Sequence, residues 1–163
     1  MKTCLVGCGG IAAVHGSVLT SGIDTEFVAA ADIKLEKAQS YAENFHTKPY
    51  PSLESMLEAE KPDVLHICTP HYLHVPMAIY SLERNINVFM EKPPAISFDQ
   101  LEELKKAAAK SDAQLGFCYQ NRYNASIRAA KDLIDSGKAG KVLGARAFVT
   151  WCRGAAYYTE SGW

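Results

Sequence analysis

The chain has 163 residues, 48% of them hydrophobic and 21% charged, which suits one hydrophobic core of ordinary size. Its formal net charge is -1, with Lys and Arg scattered instead of gathered into a stripe, so a nucleic-acid face and an anionic membrane surface are disfavoured and small-molecule chemistry is left. No run approaches the roughly 20 apolar residues that cross a bilayer, and the start MKTCLVG enters a strand pattern without the apolar region of a signal peptide, so a cytoplasmic protein is expected.

In chain order, TCLVG reads as a short buried strand, and IAAVHGSVLTSG as a helix with Ile11, Val14, Val18 and Leu19 on its inner side and Gly22 as its stop. EFVAAAD is a second strand and KLEKAQSYAENF a second amphipathic helix. Ser52 opens a short helix through Leu57, Pro62 halts it, and DVLHICT is another buried strand. The helix HVPMAIYSLERN and the strand NVFME follow. Ser97 and Gln100 form a capping box before LEELKKAAAK, whose Leu101, Leu104 and Ala108 face inward, and AQLGFCY is a further strand. A last helix spans about Asn124 to Ser136, with Gly137 behind it.

Strands alternating with helices of this length imply an α/β fold, a doubly wound Rossmann sheet of parallel strands with right-handed crossovers and helices on both faces. After Gly140 the pattern changes. Lys141 to Arg153 reads as a long strand with no partner in the remaining sequence, the first strand of an incomplete second α/β domain. The expected organisation is a dinucleotide-binding domain over residues 1–122, a connecting helix and turn over 123–140, and the start of a substrate and oligomerisation domain over 141–163. Such an unpaired strand is expected to be disordered or to pair with another copy of the chain. The five cysteines are an odd count, and Cys4, Cys68, Cys118 and Cys152 lie inside apolar runs, as reduced structural thiols do.

Gly7-Cys8-Gly9-Gly10-Ile11-Ala12 stands at the turn from the first strand into the first helix. Gly7 permits the tight turn, Gly9 lets a pyrophosphate approach the backbone, and Ala12 allows close helix–sheet packing, while the helix N-terminus offers N–H groups to phosphates. Asp32 ends the second strand about 20 residues on, the place for a carboxylate that binds the adenosine ribose; it also suits an N-cap for the helix near Lys34. Asp32 would repel a 2′-phosphate, so NAD is favoured, with NADP as the alternative if Lys34 accepts that phosphate.

CTPHYLH falls at the C-terminal end of a strand, where Thr69 and Pro70 make a ledge beside the cofactor. Cys68, His71 and His74 are spaced three apart, but no fourth ligand or carboxylate lies nearby, so no metal is expected. His74 suits a packing or capping role as well as a substrate contact. MEKPP also follows a strand. A partly desolvated Lys92, aimed by Pro93, can exchange a proton with a substrate hydroxyl as hydride moves; a surface lysine paired with Glu91 fits the same spacing.

Together GCGGIAAVH, the AD at Asp32, CTPxxxH from Cys68 to His74, EKP from Glu91 to Pro93 and YQNR from Tyr119 to Arg122 resemble the Gfo/Idh/MocA family of oxidoreductases. The resemblance implies that Lys92 is the catalytic lysine and that Glu91 and Pro93 line the nicotinamide side. It implies that Gly7, Gly9, Gly10, Ile11, Ala12, Asp32, Thr69, Pro70 and His74 border the cofactor, with Asn121 and Arg122 reaching the nicotinamide end or the substrate. The implied activity is NAD(P)-dependent hydride transfer to or from a hydroxyl-bearing carbon of a sugar, inositol or similar polyol, in a homo-oligomer when full-length. His71 stands where the family commonly has Asn, and YNAS follows Arg122 where many relatives have a proline. Family members continue into a domain that supplies a histidine for proton transfer, whereas no histidine here lies after His74, so the isolated chain is expected to bind cofactor and turn over little. The alternative is a dinucleotide-sensing regulatory protein of the same fold.

Overall fold

The computed structural model describes residues 1–22 and 24–159. Six parallel strands, β1 (Lys2–Val6), β2 (Glu26–Ala31), β3 (Lys48–Tyr50), β4 (Val64–Ile67), β5 (Asn87–Glu91) and β6 (Leu115–Cys118), lie in the order β3-β2-β1-β4-β5-β6. Between them run α1 (Ala12–Ser21), α2 (Leu35–Phe45), α3 (Leu53–Glu60), α4 (His74–Leu82) and α5 (Phe98–Lys110); α6 (Ala125–Asp135) and α7 (Ala155–Thr159) come after the sheet. This is the Rossmann α/β fold that strand–helix alternation implied.

Successive residues of a strand point to opposite faces, and the core divides accordingly. Cys4, Val6, Ala29, Ala31, Leu65, Ile67, Val88 and Met90 pack with Met56 and Leu57 of α3, Val75, Ala78 and Leu82 of α4, and Leu104 of α5. On the other face Leu5 and Ala30 meet Ala12 of α1 and Tyr41 of α2, with Phe27 and Phe45 beside them. The helix starts follow local chemistry: Ser52 Oγ accepts from the Ser55 N–H at 3.1 Å and Ser97 Oγ from the Gln100 N–H at 3.2 Å. Each bond satisfies one of the helix's otherwise unpaired donors.

Four expectations are revised. Leu19 is buried as expected, but Ile11, Val14 and Val18 are exposed, and α1 instead buries Ala12, His15 and Gly16. A Cβ at Gly16 would lie 2.4 Å from the Tyr41 hydroxyl and 2.7 Å from the Phe45 ring, so close approach to α2 selects small residues over apolar ones. β3 is absent from the sequence pattern because three residues with Pro49 among them carry no alternation; proline is tolerated there because β3 is an edge. Cys152 is exposed. Finally, Lys141 to Arg153 forms no ladder: among the described residues no strand follows β6, and residues 119–159 are exposed throughout. An extended segment becomes a strand only with a neighbour for its backbone groups. Residues 160–163 lie outside the described residues. No helix among the described residues is long and apolar enough to cross a membrane.

Candidate functional site

The strand order reverses between β1 and β4, and in a parallel sheet the crevice beyond the C-terminal strand ends at that point receives ligands. Gly7 follows β1 with φ +92°, its N–H donating to Ala31 O at 2.8 Å. A Cβ there would sit 2.8 Å from the carbonyl carbon and oxygen of Cys68 and from Thr69 N, so the turn after β1 closes on the end of β4 only with glycine. At Gly9 and Gly10 a Cβ would meet nothing within 4 Å, and both residues are exposed. Their main chain is open to an incoming group. Ile11 precedes α1 without a side-chain cap, and Ala12 is fully buried, its carbonyl accepting from Tyr41 Oη–H at 2.8 Å.

Asp32 follows β2 and is tied to this loop: Oδ2 accepts the Cys8 N–H at 3.0 Å and Oδ1 the Lys34 N–H at 2.9 Å. Lys34, not Asp32, is the residue before α2, and it makes no side-chain cap, so the N-cap reading of Asp32 is set aside. The carboxylate stays half-buried at the crevice, each oxygen keeping a lone pair for a further donor.

Beyond β4, Thr69 Oγ1 is buried with no hydrogen-bond partner, a polar atom that a bound molecule would satisfy. His74 is fully buried, with Nδ1 2.8 Å from Pro93 O and Nε2 2.9 Å from Thr69 O. Two carbonyls only accept, so the pair of bonds is complete only when both ring nitrogens carry hydrogen. His74 therefore links the Thr69–Pro70 ledge to the Lys92–Pro93 turn, the packing role that its position also suited. Its neighbour His71, 5.6 Å away between ring centroids, has its pKa lowered by burial and then by the charges of His74 and Lys92.

β5 ends in Glu91, and the Lys92–Pro93 peptide is cis. Lys92 is exposed, whereas Glu91 is buried and turned inward: Oε1 lies 3.0 Å from His15 Nε2, and Oε2 accepts the Lys92 N–H at 3.3 Å. The close partner of the Glu91 carboxylate is thus His15, and the surface pairing of Lys92 with Glu91 is replaced by a bond from the Lys92 main chain. Burial opposes charging Glu91, but hydrogen bonds from His15 and Cys118 and the charges of His15 and Lys92 outweigh it, so its carboxyl titrates below the usual range. Asn121 and Arg122 stand exposed on a short 3-10 turn, Gln120–Tyr123, just past β6.

Sequence reasoning missed His15 and His66. The signal available was a histidine in the middle of the buried strand VLHI, which demands a partner. His15, Glu91 and Cys118 offer donor atoms all within 4.8 Å of one another, a spacing a metal could use. Burial and the charge of Glu91 push the Cys118 thiol up to about 11, however, and His15 and Glu91 already satisfy each other, so the cluster reads as a hydrogen-bonded one. The separate trio Cys68, His71 and His74 is no ligand set: burial raises the Cys68 thiol, and both His74 nitrogens face carbonyls.

Residues 1–119 match the family described as an oxidoreductase family with an NAD-binding Rossmann fold. Over its whole length the chain is 28% identical to D-glucoside 3-dehydrogenase of Escherichia coli, of which it covers 46%. It is 28% identical to inositol 2-dehydrogenase/D-chiro-inositol 3-dehydrogenase of Lacticaseibacillus casei, with 90% of this chain and 44% of that protein aligned. The crystal structure of the WlbA dehydrogenase from Chromobacterium violaceum, in complex with NADH and UDP-GlcNAcA, superposes with a TM-score of 0.91 at 30% identity, covering 100% of this chain and 48% of that one. The chain spans about half the length of the relatives it matches.

Proposed function

Because the chain belongs to the Gfo/Idh/MocA oxidoreductase family, with its NAD-binding Rossmann fold, we propose that it is the cofactor-binding unit of an NAD-dependent dehydrogenase acting on a hydroxyl-bearing carbon of a sugar, inositol or similar polyol. The observation that carries this reading is that the Gly7 turn, Asp32 and Thr69 meet at the strand ends where the order reverses, with Lys92 following the next strand, β5. The site fits a dinucleotide in three independent ways: open main chain at Gly9 and Gly10, a turn that only glycine closes, and an orphaned hydroxyl at Thr69.

In this reading the Gly9–Ile11 backbone and the start of α1 take the pyrophosphate, and Asp32 takes the adenosine ribose hydroxyls. The negative Asp32 disfavours a 2′-phosphate, hence NAD over NADP. Thr69 and Pro70 form one wall of the nicotinamide end, with Asn121 and Arg122 at its outer margin. Bound NAD supplies the hydride acceptor. Lys92, exposed on the crevice edge, exchanges the proton of the substrate hydroxyl. Residues 1–122 make the cofactor unit, 123–140 a connector, and the segment from Lys141 on belongs to a unit that completes the substrate pocket and the homo-oligomer. The exposed Phe148, Val149 and Trp151 support that division. With Lys92 on an open edge, the 163-residue chain by itself binds NAD and turns over little.

Calorimetric titration of this chain with NAD and NADP side by side tests the reading. Tight NAD with weak NADP supports it, NADP preference assigns the 2′-phosphate to Lys34 over Asp32, and binding of neither refutes the cofactor unit.

A further inference from the structure

Strand alternation that sends Leu65, Ile67, Val88 and Met90 to the face of α3–α5 leaves His66, Phe89 and Glu91 on the face of α1. There His66 Nδ1 lies 3.0 Å from His15 Nδ1, His15 Nε2 lies 3.0 Å from Glu91 Oε1, and Glu91 Oε2 holds the Lys92 N–H. The Phe89 ring packs against both imidazoles, at 6.0 Å and 5.2 Å between centroids. A buried line of two imidazoles and a carboxylate is a costly way to fill space that apolar side chains fill freely.

Proton placement along the line is constrained. The Glu91 carboxylate only accepts, so His15 Nε2 carries hydrogen. At the Nδ1–Nδ1 contact one ring donates and the other accepts, and burial, with His15 adding to it, lowers the His66 pKa to about 4, so His66 is neutral near pH 7. A neutral His15 accepts from His66; a charged His15 donates to it. In both states Nε2–H still points at Glu91. The groups facing His15 are His66 from β4, Glu91 from β5 and Cys118 from β6, with Lys92 and Cys68 next around Glu91.

We propose that His15 is a positioning residue for Lys92: it keeps Glu91 ionised and oriented through one carboxylate oxygen, so that the other fixes the Lys92 main chain at the end of β5, while His66 holds the His15 ring in register. The proposal rests on Lys92 being the acid/base, yet its test does not use cofactor or turnover.

In the isotopically labelled 163-residue chain, the Lys92 amide is followed by NMR from pH 8 downward, with the His15 and His66 ring nitrogens. In the wild type the carboxyl step seen at this amide falls below the ordinary carboxyl range, as hydrogen bonds to a buried carboxylate dictate. In His15→Leu the step moves up by about one pH unit or more, and His15→Gln, whose amide N–H still reaches toward Glu91, moves it back. Glu91→Gln abolishes the step, and His15→Phe, which fills the same space without a donor, takes the place of His15→Leu if that variant does not fold. An unchanged Lys92 profile in folded His15→Leu, or a step that survives Glu91→Gln, overturns the proposal. NADH titration of the same wild-type sample judges the cofactor reading separately: failure to bind refutes that reading, while the amide profile still decides the role of His15.

Discussion

Replacing Gly7 by alanine places a methyl carbon 2.8 Å from three main-chain atoms of Cys68 and Thr69, at a φ of +92°. A non-glycine residue held at positive φ costs about 1–2 kcal/mol. The methyl group also has no flexible side chain to push aside, since the atoms it meets are backbone at the end of the central strand β4, and overpacking of this kind costs a further 1–3 kcal/mol, roughly. Gly7→Ala should therefore lose about 2–5 kcal/mol of stability, a large part of what a domain of this size possesses. With a urea slope of about 2 kcal/mol/M, the unfolding midpoint should fall by about 1–2.5 M at unchanged slope. Gly9→Ala is the control, because its Cβ meets nothing within 4 Å. Its midpoint should stay within about 0.5 kcal/mol of the wild type. If the open main chain cradles a pyrophosphate, its NADH affinity, read by fluorescence titration, should drop about tenfold or more. A Gly7→Ala chain as stable as the wild type would refute the close-approach geometry, and a Gly9→Ala chain that binds NADH normally would refute the cradle.

Two further outcomes are expected. The Tyr50 hydroxyl at 2.6 Å, opposed by burial and helped by Lys48 and Lys2, lowers the Glu60 pKa to about 2; folding thus gains from Glu60 above its ordinary value near 4.5 and loses that gain as pH falls from there toward 2. Glu60→Gln should be less stable at pH 7 and show a flatter decline over that acid window in urea melts, and an unchanged slope would count against the assignment. Burial raises the Cys4 and Cys8 thiols to about 12 and the Cys118 thiol to about 11, with Cys68 also raised, whereas Cys152 is exposed. A thiol reagent at pH 8 should then label one cysteine quickly in the native chain and all five after denaturation; two or more fast thiols would contradict the burial pattern.

The polypeptide by itself determined five of the six strands, all but the edge strand β3, and the helices between them, because the period of apolar residues and the capping serines Ser52 and Ser97 are local features. The glycine turn and the carboxylate at Asp32 were equally legible, since backbone conformation and position after a strand demand them. What tertiary structure alone decided is how residues far apart in sequence share one space. α1 turns Ala12 and Gly16 inward, against its own apolar pattern, because Tyr41 and Phe45 leave room only for small groups, while His15 is buried against Glu91 and His66. His74 and Glu91 look from their motifs like groups that face a ligand. Each is buried, His74 holding two loops by their carbonyls and Glu91 bound to a histidine from α1. A buried polar group must find its partner wherever the fold brings one, and sequence spacing carries no record of contacts between α1, β4 and β5.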